Sequence, residues 1–100
     1  MPPTNPPSTG APFDLARPYA LHPQVALRPE SFGALAYHFG TRRLSFLKSR
    51  TLLAVVESLA EQPSGLAACQ AAGVTAEQQG AYEQALATLV DSGMICERVA

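Results

Sequence analysis

From Gln24 to Leu47 apolar side chains recur at every second position, the spacing of strands with two unlike faces. Val25 and Leu27 alternate with Ala26 and Arg28, and Pro29-Glu30-Ser31 supplies turn chemistry that ends the run. Leu35, Tyr37 and Phe39 share one face of a second strand, with Ala34, Ala36 and His38 on the other. Gly40-Thr41 offers a hairpin turn. In a third strand Leu44 and Phe46 are expected to face inward, with Arg43, Ser45 and Leu47 facing the other way. Three such strands fit a small antiparallel meander.

At Ser49 the period becomes helical. Ser49 is placed to cap a helix whose core face is Leu52, Leu53, Val56, Leu59 and Ala60, and Pro63 ends it. Ser64 is placed to cap a shorter helix, Gly65 to Ala72, with Leu66 and Cys69 inward and Gly73 at the C′ position. Thr75 and Gln78 have the spacing of a capping box. The third helix then buries Tyr82, Ala85, Leu86, Leu89 and Val90, until Gly93 stops it. Met94-Ile95-Cys96 is apolar enough for a short final strand. The expected fold is α+β: a three-stranded antiparallel sheet followed by three helices in a winged helix-turn-helix arrangement.

The first 23 residues break this pattern. Seven of the nine prolines lie there, which excludes a helix or a central strand. Residues 1–12 read as a disordered proline-rich tail and 13–100 as the single domain. Phe13, Leu15, Tyr19 and Leu21 give the following stretch enough apolar anchors to lie across the domain surface.

Composition narrows the function. At 100 residues there is no room for a second domain. A net charge of −1 argues against a protein that coats polyanions. No run of about 18 apolar residues exists to span a membrane, and the N-terminus lacks the pattern of a secretory signal, so a cytoplasmic protein is expected. Cys69 and Cys96 alone make neither a metal site nor a disulfide scaffold. His22 and His38 lack sequence partners at metal-ligand spacing, and His38 reads as a hydrogen-bonded or surface histidine. No nucleophile elbow, triad signature or glycine-rich phosphate loop occurs. Neither an enzyme nor a metal or cofactor site is expected.

A helix-turn-helix raises a DNA-binding regulator as the rival reading. It fails on charge. Between Arg50 and Arg98 there is no lysine or arginine, and the would-be recognition helix carries Glu77, Glu83 and Asp91. Those carboxylates would repel phosphate rather than release counterions.

The cations gather elsewhere. Arg42, Arg43, Lys48 and Arg50 are four of the seven basic residues, and they bracket the third strand, which lies at an edge of the meander. The edge has two readings. One is protection, with charge blocking edge-to-edge aggregation. The other is a rail on which an extended acidic peptide adds as a further strand. Arg42, Arg43, Leu44, Ser45, Phe46, Leu47 and Lys48 would form the rail, and Gln79, Tyr82, Glu83 and Leu86 of the third helix the opposite wall.

The stretch Leu21-His-Pro-Gln-Val-Ala-Leu-Arg-Pro-Glu30, then Phe32-Gly-Ala-Leu35, then Tyr37-His-Phe-Gly-Thr-Arg-Arg-Leu-Ser-Phe-Leu-Lys48 resembles the peptide-binding chaperones of mycofactocin biosynthesis. Ala85-Leu-Ala-Thr-Leu89 and Ser92-Gly-Met-Ile95 fit as well, so the resemblance runs over residues 13 to about 97. More broadly the domain is similar to the PqqD-like recognition elements of ribosomally made, modified peptides. The resemblance implies a non-catalytic protein that binds the acidic leader of a short precursor peptide and delivers it to a radical SAM enzyme. Iron–sulfur clusters and S-adenosylmethionine would belong to that enzyme. The resemblance also implies strand addition against the third strand and third helix, here Arg42 to Leu47 and Thr75 to Asp91. It leaves the enzyme-docking surface to elimination, with the opposite side of the sheet and the second helix as candidates.

Overall fold

The computed structural model describes residues 13–98; the proline-rich segment expected as a tail over 1–12 lies outside the described residues. In chain order the elements are β1 (Tyr19–Leu21), β2 (Val25–Glu30), β3 (Gly33–His38), β4 (Leu44–Leu47), α1 (Arg50–Ser58), a 3-10 turn (Leu59–Glu61), α2 (Gly65–Ala71), α3 (Gln79–Asp91) and β5 (Ile95–Glu97). The fold is α+β, with three helices as the periodicity predicts. The single sheet is corrected to two. Strands β2-β3-β4 form the antiparallel meander, while β1 and β5 pair separately, Tyr19 opposite Glu97 and Leu21 opposite Ile95. Each of those two strands is three residues long, so each is defined by its distant partner rather than by its own pattern.

The N-terminal stretch does more than lie on the surface. Leu15 and Tyr19 are buried in the core, and Phe13 stacks on Tyr19 with centroids 4.9 Å apart. The Gly65 and Leu66 amides donate to the carbonyls of Arg17 (3.0 Å) and Leu15 (2.8 Å). Two N–H groups that the start of α2 leaves without helical partners are thereby satisfied.

The facing of the meander is the reverse of the expected one on β4. Leu47 is buried, whereas Leu44 and Phe46 are exposed. On β3 the buried set is Ala34, Ala36 and His38. The register explains this as one choice, because Ala34 opposes Leu47, Leu27 opposes Ala36 and Val25 opposes His38, all on the face toward α1. A strand alternates strictly, so committing Leu47 to the core puts Phe46 outside. The two alanines leave room for α1, whose Leu52, Val55 and Val56 fill the layer beneath. Val55 is thus a core residue in place of Ala60, which is exposed.

Both turns also shift. Strand β2 continues through Pro29, tolerated because β2 is an edge strand, and the chain turns at Ser31-Phe32. Gly33 follows with φ 153°, and a Cβ there would lie 2.0 Å from the Leu47 carbonyl oxygen, so only glycine lets β3 start this close to the end of β4. The second turn spans Phe39 to Arg42 rather than Gly40-Thr41 alone. His38 N–H donates to Arg43 O (2.9 Å), Arg42 N–H donates to His38 O (2.7 Å), and Arg42 takes a left-handed φ of 64°. Buried His38 holds this turn, its Nδ1 accepting from the amides of Gly40 (3.0 Å) and Thr41 (3.1 Å).

The helix ends follow the expected chemistry. Ser49 Oγ accepts from Leu52 N–H (2.9 Å), and Ser64 Oγ from Ala67 N–H (3.0 Å). Thr75 and Gln78 form the reciprocal capping box, at 3.2 and 3.3 Å. They do so one turn ahead of α3, which begins at Gln79 rather than Thr75. Gly73 follows α2 with φ 88°, and Val74 N–H returns to Cys69 O (3.0 Å). At the far end Arg98 donates from its guanidinium to the carbonyls of Ala60 (3.2 Å) and Gln62, covering the end of the 3-10 turn.

Candidate peptide-binding groove

Strand β4 pairs with β3 on one side only, so its other edge presents free backbone N–H and C=O groups. Beside that edge runs a trough toward α3. One hollow of about 320 Å³ is lined by Ser45, Phe46 and Lys48 on the strand side, and by Leu52, Ala85, Thr88 and Leu89 beneath and opposite. A second, about 160 Å³, continues past Lys48, Ser49, Leu52, Ala81, Tyr82 and Ala85. The two share Lys48, Leu52 and Ala85 and form one groove.

The wall on α3 is made of small side chains. Ala81, Ala85 and Thr88 are spaced four and three apart and so stand above one another on the helix face toward β4. Small side chains there leave space between helix and strand. Tyr82 closes the bottom, its hydroxyl 3.3 Å from Ser49 Oγ. That contact ties α3 to the residue capping α1, so the groove has a fixed floor.

Among the residues expected from sequence, the structure brings Ser45, Phe46, Lys48 and Tyr82 together at this groove. Leu44 lies on the outer face of the sheet, and Arg42 and Arg43 are exposed at the turn before it. Four more of the expected residues do not line the groove. Leu47 and Leu86 are both fully inside the core and support the groove from behind. Gln79 and Glu83 sit one turn apart on a different face of α3. Glu83 is close enough to buried Cys69 of α2 to help raise its thiol pKa, after the larger effect of burial. The helical period alone does not say which flank of α3 meets α2 and which meets β4. The groove also takes Ala81 and Thr88, which sequence did not single out, and Ser49, Leu52, Ala85 and Leu89, which it assigned to capping or core; the signal that finds the helix side is the small-residue stripe.

The charge around the groove is one-sided. Among the described residues the ion pairs are Arg17–Glu97 (2.9 Å) and Arg28–Glu30 (3.0 Å), so Arg42, Arg43, Lys48 and Arg50 have no carboxylate partner there. The arrangement can take an extended chain through backbone hydrogen bonds, admit side chains into the groove and attract carboxylates at its rim. Among the described residues no group of three His, Cys, Asp or Glu side chains is placed to hold a metal, and no helix is long and apolar enough to cross a membrane.

Comparison with known proteins places the chain among peptide chaperones. A chaperone named peptide chaperone MftB from Mycobacterium tuberculosis (strain ATCC 25618 / H37Rv) is 57% identical over 86 residues, covering 86% of this chain and 79% of its own. The peptide chaperone MftB of Mycobacterium ulcerans (strain Agy99) is 58% identical over 83 residues, 83% of this chain and 76% of its own. That of Mycolicibacterium smegmatis (strain ATCC 700084 / mc(2)155) is 57% identical over 83 residues, 83% of this chain and 81% of its own. No solved structure matches. The model of the peptide chaperone MftB family matches residues 18–96, and the chain belongs to this non-catalytic family.

Proposed function

We propose that this protein is a cytoplasmic peptide chaperone of mycofactocin biosynthesis that binds the leader of a short precursor peptide and delivers it to a radical SAM enzyme. The leader adds as a strand to the free edge of β4 and lies against α3, in a winged-helix-like domain. The observation that carries this reading is a strand edge beside an apolar groove walled by small residues and rimmed by cations, edge and cations alike without partners among the described residues. Backbone hydrogen bonds to β4 contribute about 0.5–1.5 kcal/mol each. Side chains entering the groove add register, and Arg42, Arg43 and Lys48 favour an acidic leader. The chaperone then works by tethering, raising the effective concentration of peptide at the enzyme. The leader gives up conformational entropy on binding, which keeps the affinity moderate and eases release.

Calorimetry with an acidic precursor leader tests this directly. Saturable one-to-one binding is expected, and no binding, with or without the enzyme, would remove the reading. A proline scan through the leader tests the geometry, because each amide that donates to β4 is lost on substitution. If every proline variant bound as well as the parent peptide, strand addition would be excluded.

A further inference from the structure

The face of the β2-β3-β4 sheet turned away from α1 is unusually apolar. Phe32 (46% exposed), Phe39 (61%), Leu44 (54%) and Phe46 (56%) all stand in solvent. The register places Leu35 beside Phe46 and Tyr37 beside Leu44 on that same face, so the exposed groups join into one stripe. Phe32 and Phe46 meet edge-to-face with centroids 6.3 Å apart, and Tyr37 and Phe39 do so at 5.1 Å. A continuous apolar surface of this kind marks an interaction site. No described element covers it.

Charge selects the occupant. Arg42 and Arg43 flank the stripe at the Phe39–Leu44 end, and Lys48 borders a hollow of about 390 Å³ with Phe32 and Phe46 at the other. The carboxylate on this face, Glu30, is already paired with Arg28. A second copy of the chain packed face to face would bring these cations onto one another. The fitting partner has an apolar surface rimmed by carboxylates. Location narrows it further. Phe46 and Lys48 line both this hollow and the peptide groove, so the stripe and the groove meet at the β4 edge.

We infer that the outer sheet face, with Phe32 and Phe39 as its anchors, is the surface on which the peptide-modifying enzyme docks. The inference rests on the peptide-chaperone reading above. A protein seated there borders the bound leader along β4, and the peptide passes from groove to enzyme without crossing the chaperone. Phe46 is then shared between peptide and enzyme, which couples the two binding events.

The test uses the full chain, an acidic leader peptide and the radical SAM enzyme of the same pathway. Phe32→Ser combined with Phe39→Ser removes two exposed rings, neither of which lines the peptide groove. Leader affinity by calorimetry is expected to be unchanged, while affinity for immobilised enzyme falls at least tenfold. An unchanged enzyme affinity in the double variant, or none in the wild type, would overturn the inference. So would a wild-type dimer in sedimentation that the double variant converts to monomer, since the face would then belong to a second copy. Failure of the wild type to bind the leader is a separate result, and it would sink the underlying reading instead.

Discussion

The two faces of the three-stranded sheet are built from opposite materials. On β3 and β4 the face toward α1 holds Ala34, Ala36, His38 and Leu47, three of them small or polar, and all are buried. The outer face holds Phe32, Leu44 and Phe46, all bulky, and all are exposed. Side-chain size therefore does not decide burial here. The helix packed on the inner face decides it, because alanines let α1 come close enough to exclude water. The large residues are left on the surface.

Neighbouring residues of β4 break or sharpen this contrast most strongly. Leu47→Ala opens a cavity in the inner layer and is expected to cost about 2–5 kcal/mol in urea unfolding. Phe46→Ala, one residue earlier, is expected to stay within about 0.5 kcal/mol, as surface substitutions do, yet to weaken leader binding. Equal losses of stability from the two would mean that the inner and outer faces of β4 are packed alike.

A smaller effect is expected from Arg42→Ser with Arg43→Ser, on the outer rim. Leader association should slow several-fold at low salt, with a flatter salt dependence and little change in dissociation. An unchanged salt dependence would show that the cations serve only to protect the edge.

The smallest effect comes from the interior. Burial pushes the Cys69 thiol above its ordinary value of 9.0, with Glu83 adding to the shift, and burial likewise raises the Tyr19 hydroxyl above 10.0. Both groups hold their protons more tightly in the folded chain than in the unfolded one. The stability this represents is complete below pH 9 and is lost as pH rises through each folded value. The Tm is expected to be level from neutral pH to 9 and to fall above it. Cys69→Ala should remove the earliest part of that fall, and a decline of unchanged onset would refute the assignment.

What the sequence reveals and what it conceals divides along the same line as the two faces. Helices and their ends are local. Ser49, Ser64, Gly73 and the Thr75–Gln78 box act within a few residues of themselves; the first three take their expected roles, and the box forms one turn ahead of the helix it was expected to start. The alternation of the strands is legible too, but a period of two looks the same from either side, and bulk pointed to the wrong one on β4. The β1–β5 pair depends on contacts across more than seventy residues and leaves no short-range trace. At the groove the strand side was readable from its edge position and cations. On the helix side only Tyr82 was, because Gln79 and Glu83 offered polar contacts while the alanines that leave the space offered none.

The pairing of β1 with β5 has an engineering consequence. The chain enters and leaves this domain side by side, with the Arg98 amide bonded to the Pro18 carbonyl (3.0 Å) and Arg17 paired with Glu97. Strands β1 and β5 belong to a different sheet from the one that carries β4. A short linker could join them and new termini be opened at an exposed turn, or the whole unit be inserted as a cassette into a loop of another protein. Either rearrangement would leave the backbone edge of β4 free, so a recognition module of this design is portable.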